Sequence, residues 1–239
     1  MRSNINKTAL IVFSLSAEKE IHRKNIFGKR HHKENSAFFR QLILQTKHLA
    51  DKSGVEVFWV DETKQQGSNF ASRFANAFQE LFDLGYQNVL SIGNDCPELT
   101  IEILQDAITQ LQSKKLVVGP AWDGGIYLLG LNRAIFDQEQ FLNLPWQSSS
   151  LYSNIIEQAA LGSVLFHKLE TLNDLDSGQD VCVFAKEYKF TYLGKFIRLL
   201  KSLLNKVFPT LDNIFLSKLR YIPLNLRAPP QIYSLLIKS

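Results

Sequence analysis

The 239-residue chain has only two cysteines, Cys96 and Cys182, far apart and without a CxxC pair. That argues against a disulfide framework or a zinc site and fits a reducing, cytoplasmic compartment in which both are expected as thiols. No stretch approaches the ~18–20 consecutive apolar residues of a membrane span. There is no internal repeat, no low-complexity tract, no P-loop and no Ser-His-Asp arrangement. Charged residues make up 21%, and a formal net charge of +4 is too small to imply nucleic acid. The basicity sits in the tail. From Lys195 onward eight Lys and Arg face one acid, Asp212, a net +7 that leaves −3 on the rest.

With 45% hydrophobic residues, the chain can close one substantial core, and its length favours one domain with an appendage over two full domains. The apolar run at residues 9–13 follows Arg2 and Lys7 and precedes small residues, in the manner of a short signal peptide. Its β-rich composition instead predicts a buried first strand. Residues 36–51 then read as a helix, 55–60 as a strand, 69–84 as a helix and 88–92 as a strand. This βαβαβ order, with short strands apolar on both faces, predicts an α/β fold with a Rossmann-like, mostly parallel sheet flanked by helices. The helical period is clearest where Phe70, Phe74, Ala77, Phe78, Leu81 and Phe82 recur at three-to-four spacing before Gly85, a C-cap. Further on, 101–112 reads as a helix, 115–118 as a strand, 119–125 as a turn and 126–131 as a strand. Residues 149–161 look helical, 164–168 extended, and 171–180 form a polar loop before a helix starting near Ser177.

Ligands of open parallel sheets collect beyond the carboxyl ends of the strands, and Asp95 follows such an end. One strand-end carboxylate suffices to anchor a hard cation such as Mg²⁺ that also takes phosphate oxygens. The alternative is an N-cap, a role for which Thr100 is better placed. Asp123-Gly124-Gly125, between two strand-like runs, is a hairpin turn whose glycines also let a ligand approach the backbone. His31 and His32 are adjacent, so their side chains diverge, and no third metal ligand is evident. Cys96, beside a carboxylate, is harder to ionise and suits packing better than attack.

Taken in order, residues 93–99 (Gly-Asn-Asp-Cys-Pro-Glu-Leu), Gly119-Pro120, residues 123–130, Trp146, and Asn173-Asp174-Leu175-Asp176 with Gln179-Asp180 resemble a bacterial family. It is the glycosyltransferase-like family associated with arsenosugar biosynthesis. Its members are similar to nucleotide-diphosphosugar transferases of the A-type fold, and more distantly to the guanylyltransferases of molybdenum-cofactor and phospholactate metabolism. The resemblance covers residues 69–180. It implies a nucleotide near the first strands, Mg²⁺ or Mn²⁺ at Asp95 with Asp174 or Asp176 contributing, and a donor or acceptor pocket shaped by Asn94, Asp123, Gly124 and Gly125. Asp95 and Asp123 are the implied catalytic carboxylates, Asp123 as base. The phosphate-handling Lys-Thr-Arg-Leu signature of such families is missing from residues 16–33. Lys24 and Arg23, with Lys29 and Arg30, are the candidates to replace it, and a solvated charged loop is the alternative.

The expected activity is therefore glycosyl transfer from a nucleotide sugar to a small-molecule or lipid acceptor. Nucleotidyl transfer from a nucleoside triphosphate to a small phosphate, or a non-catalytic descendant lacking its phosphate loop, are the rivals. Residues 1–193 are expected to form the catalytic domain and 194–239 a basic helical extension. Lys195, Arg198, Lys201 and Asn205 would lie on one face of its first helix, with Phe196, Leu199, Leu200, Leu203 and Val207 opposite, and Pro209 would end it. That pattern suits either packing on the domain or docking on an anionic membrane surface.

Overall fold

The computed structural model of the protein describes residues 7–207. Pro209 and the basic residues Lys218, Arg220, Arg227 and Lys238 lie outside them. By internal contacts the chain divides after Glu187 into two units.

The first unit is a six-stranded sheet with helices on both faces. Its strands are β1 (Thr8–Phe13), β2 (Glu56–Val60), β3 (Asn88–Ile92), β4 (Leu116–Pro120), β5 (Ile126–Asn132) and β6 (Phe166–Lys168), in the order β2-β1-β3-β5-β4-β6. All neighbours pair in parallel except β5, which runs antiparallel to both β3 and β4. The run at 9–13 is thus a strand between two others, fully buried from Ala9 to Val12.

The helices are α1 (Ala17–Arg23), α2 (His32–Asp51), α3 (Phe70–Asp83), α4 (Ile101–Leu111), α5 (Gln138–Leu142), α6 (Leu151–Leu161) and α7 (Gly178–Glu187). Strand residues alternate between two cores. Ala9, Ile11, Val89, Val118 and Leu129 face α3, α5 and α6, while Leu10, Val12, Leu90, Ile92 and Val117 face α2 and α4. The first core is aromatic: Phe74 lies 5.2 Å from Phe78 and from Trp146, and 5.5 Å from Phe141, centroid to centroid. Each such ring, once buried, contributes about 2–3 kcal/mol.

Local signals end these elements as expected. Gly85 takes φ +92° just past α3, and Thr100 caps α4 by accepting from Ile103 N. Two expectations need correction. The stretch 16–33 is not one solvated loop, because it contains α1, and α2 starts at His32 rather than 36. Ser16 caps α1 by accepting from Lys19 N, with Glu18 and Glu20 in its first turn and His22 and Arg23 in its last, which suits the helix dipole. The turn expected at 119–125 is also shorter, since Gly119 and Pro120 belong to β4, with a register shift between them.

The second unit is described through residue 207 and carries α8 (Tyr192–Val207). Its buried stripe is Leu193, Ile197, Leu200 and Leu204. Leu199 and Leu203, expected on the apolar face, are exposed beside Lys195 and Arg198. Apolar residues cover a wider arc of this helix than one contact stripe, so some are left outside.

Candidate functional site

Three segments converge at the carboxyl edge of the sheet. Asp95 lies three residues beyond β3. Because β5 runs back against β3 and pairs Ile92 with Leu128, the turn carrying Asp123 returns to the same edge. The third segment follows β6. Ala121 bridges Leu172, Trp122 N donates to Leu172 O at 3.1 Å, and Leu175 N donates to Asp95 O at 2.8 Å, which sets Asp174 and Asp176 beside Asp95. Together they line a cleft of about 550 Å³ whose floor and walls include Arg23, Arg73, Asn94, Asp123, Gly125 and Trp146.

Lys24 is the fourth contributor. At the C-cap of α1, it sends Nζ to Asp95 Oδ2 at 2.7 Å and to Asp176 Oδ1 at 2.5 Å, with only 9% of its side chain exposed. Burial opposes the Lys24 charge, but Asp95 and Asp176 outweigh it and hold the ammonium firmly protonated. Burial likewise opposes ionisation of Asp95, and Lys24 more than offsets it, keeping this carboxyl below its usual range. Asp174 goes the other way. Burial first, then the charges of Asp95, Asp176 and Asp123, push it up to about 8, and its Oδ1 has no hydrogen-bond partner. It is therefore largely a neutral acid at neutral pH. Burial also raises Glu20, which is 4% exposed with Oε2 unpartnered at the cleft.

The residues singled out from sequence meet different fates. Asp95, Asp123, Asp174, Asp176, Asn94, Gly125 and Arg23 all line the cleft. Asn94 is buried and its Nδ2 has no partner, so it has a donor to offer. Gly124 serves architecture: it takes φ +89°, and a Cβ there would sit 2.0 Å from Ser149 O. Asp123 Oδ1 accepts from Gly125 N at 2.8 Å, which fixes the turn. Lys24, expected to meet phosphate, is turned onto two carboxylates instead. Lys29 and Arg30 are exposed and line no part of the cleft. Ser177 and Asp180 cap α7 through reciprocal hydrogen bonds. Burial, then Asp174 and Asp95, push the Cys96 thiol far up, so it packs rather than attacks.

Two cleft residues escaped sequence reasoning. Arg73 lies in the first turn of α3, with its Nε buried and unpartnered at the cleft. Its signal was present, because an arginine three residues after Phe70 and four before Ala77 falls inside an apolar stripe. Glu20 was hidden by the missed α1.

A divalent cation of the expected kind needs oxygens at about 2.1 Å in a near-octahedral shell. The facing oxygens of Asp95 and Asp176 are already spanned by the Lys24 ammonium, and the described residues hold no group of three His, Cys, Asp or Glu gathered for an ion. The expected ligand set of Asp95, Asp174 and Asp176 does not fit a metal as arranged, because Lys24 holds one oxygen of Asp95 and one of Asp176 and burial pushes Asp174 towards its neutral form.

Against solved structures, the chain resembles a protein of Desulfovibrio desulfuricans G20 provisionally named a nucleotide-diphospho-sugar transferase. The TM-score is 0.73 at 20% identity, covering 84% of this chain and 98% of that one. Weaker likenesses include the 4-diphosphocytidyl-2C-methyl-D-erythritol synthase of Anaerococcus prevotii DSM 20548, with TM-score 0.49, 10% identity and 79% and 100% coverage. Another is the Rv0371c homolog of Mycobacterium sp. strain JC1, with TM-score 0.46, 13% identity and 81% and 98% coverage. No curated protein matches the chain. The chain shares its fold with the Desulfovibrio protein, and residues 40–148 match DUF2064, a family described as an uncharacterized protein conserved in bacteria.

Proposed function

We propose that the chain is a transferase that binds a nucleotide-activated sugar in the cleft and delivers the sugar to an acceptor hydroxyl. One observation carries this reading: a cleft of about 550 Å³ at the carboxyl edge of the sheet that combines cationic side chains with a cluster of carboxylates. Arg23 and the unpartnered Nε of Arg73 offer charge and hydrogen bonds to the diphosphate. Asn94, with its unpartnered Nδ2, and Gly125 line the same cleft and would orient the donor. Trp146, held by its indole N–H on Phe141 O at 2.7 Å, supplies an apolar wall. In the transfer, the acceptor oxygen bonds to the sugar's anomeric carbon, the bond to the nucleoside diphosphate breaks, and the hydroxyl proton passes to a carboxylate. Asp123 is the candidate base. A small-molecule and a lipid acceptor both satisfy this chemistry.

Thermal denaturation in the presence of nucleotide sugars and nucleoside triphosphates tests the reading, since a ligand that binds only the folded chain stabilises it. At least one nucleotide sugar should raise the Tm, and Asp95→Asn should weaken its binding tenfold or more by releasing Lys24 from its place. A screen in which no nucleotide shifts the Tm favours a non-catalytic descendant of the fold. Pyrophosphate in place of a nucleoside diphosphate among the products favours nucleotidyl transfer.

We further propose that the outer face of α8 docks on an anionic lipid surface. Tyr192, Leu199 and Leu203 are exposed there beside Lys195 and Arg198, and residues 192–207 contain no acid. Among the described residues no helix is long and apolar enough to cross a membrane, so contact would be interfacial. Each basic residue near such a surface contributes about 1 kcal/mol, screened by salt. The full chain should co-sediment with phosphatidylglycerol vesicles and not with phosphatidylcholine ones, and Leu199→Glu/Leu203→Glu should abolish it. Equal pelleting of both proteins assigns the face elsewhere.

A further inference from the structure

The cation at the centre of this site is a side chain. Lys24 follows α1, where its backbone N–H donates to Glu20 O at 2.7 Å. The helix itself is tethered at its start by Ser16, whose N and Oγ donate to the Glu62 carboxylate at 2.7 and 2.6 Å. Only 9% of the Lys24 side chain is exposed. Two of its three N–H donors go to carboxylates on segments far apart in sequence. It thus ties the loop after β3 to the segment after β6.

We infer that the Lys24 ammonium is the resident cation of this centre, holding Asp95 and Asp176 together in the role a divalent ion would otherwise take, so that ligand binding needs no metal. The inference deepens the reading of the cleft as a nucleotide site. One positive charge against two negative ones leaves the pair short by one. Arg23, next in the chain and at the cleft, supplies it; its field is among the influences that lower Asp95. A bound diphosphate then meets Arg23 and Arg73 rather than a metal bridge.

The test uses the full chain and Mn²⁺ alone, with free Mn²⁺ followed by electron paramagnetic resonance. The unaltered protein should leave the signal of micromolar Mn²⁺ undiminished. Lys24→Met should open the pair and bind one Mn²⁺ at least tenfold more tightly than the unaltered chain, and adding Asp95→Asn should remove that binding. One Mn²⁺ bound by the unaltered protein in the micromolar range, and lost with Asp95→Asn, overturns the inference. So does a folded Lys24→Met protein that still ignores Mn²⁺. If Lys24→Met does not fold, the titration of the unaltered chain decides alone. No nucleotide is present, so failure here is distinct from failure of the nucleotide screen.

Discussion

Raising the pH from 5 to 8.5 should lower the Tm of this protein by roughly 5–10 °C, and Asp174→Asn should remove most of that fall. Asp174 titrates at about 8 in the folded chain against an ordinary value of 3.8. Between those values the folded state holds a proton that the unfolded chain has released. Its contribution to stability is therefore fully present below about pH 4, declines as pH rises towards 8, and is gone above it. At about 1.4 kcal/mol per pH unit the ceiling is roughly 6 kcal/mol, and with water able to enter the cleft we expect about 2–3. Glu20, also raised by burial, adds to the same slope, whereas Asp95, lowered by Lys24, opposes it at the acidic end. Asparagine keeps the volume and cannot ionise, so at pH 8.5 Asp174→Asn should be more stable than the unaltered chain. Melting curves at both pH values decide it, and an unchanged slope in the variant removes Asp174 as the cause.

Lys24→Met should destabilise the fold at pH 7 by about 3 kcal/mol, or a Tm lower by roughly 10 °C. Methionine fills the same space as the lysine stem, so the loss is electrostatic. Asp95 and Asp176 are left close together without the ammonium that both face at 2.7 and 2.5 Å. Lys24→Arg should recover only part of the loss, because a planar guanidinium cannot replace a compact ammonium between two converging oxygens. Combining Lys24→Met with Asp95→Asn should cost less than the two changes added together, the sign of a shared interaction. Urea unfolding measures each. A Lys24→Met protein within ~0.5 kcal/mol of the unaltered chain contradicts the assignment, and Lys29→Met, at an exposed position, is the control with that small effect.

Where local chemistry is strong, the order of residues was sufficient to read this protein. The strand at 88–92, the helix ended by Gly85 and the cap at Thr100 follow from periodicity and turn chemistry that act within a few residues. So does the placement of Asp95 at a strand end and of Asp123 in a tight turn. Helix α1 was legible in principle, through Ser16 and the charges that suit its dipole, but its short, charged sequence lacks an apolar stripe and reads as loop.

What tertiary structure alone decided is which of these ends meet. The insertion of β5 between β3 and β4, antiparallel to both, depends on contacts across the sheet, and without it Asp123 would not return to the edge that holds Asp95. The ion pairs of Lys24 join residues 71 positions apart in one case, a distance over which spacing carries no geometric information. The same holds for the choice of Leu193, Ile197, Leu200 and Leu204 as the buried stripe of α8 from a wider apolar arc. Sequence by itself determined the elements and the chemistry of the side chains at their ends, because capping, period and turn preference are local. The fold decided which carboxylate is charged, which is neutral and which cation lies between them, because burial and Coulomb interaction act through space between residues brought together only by folding.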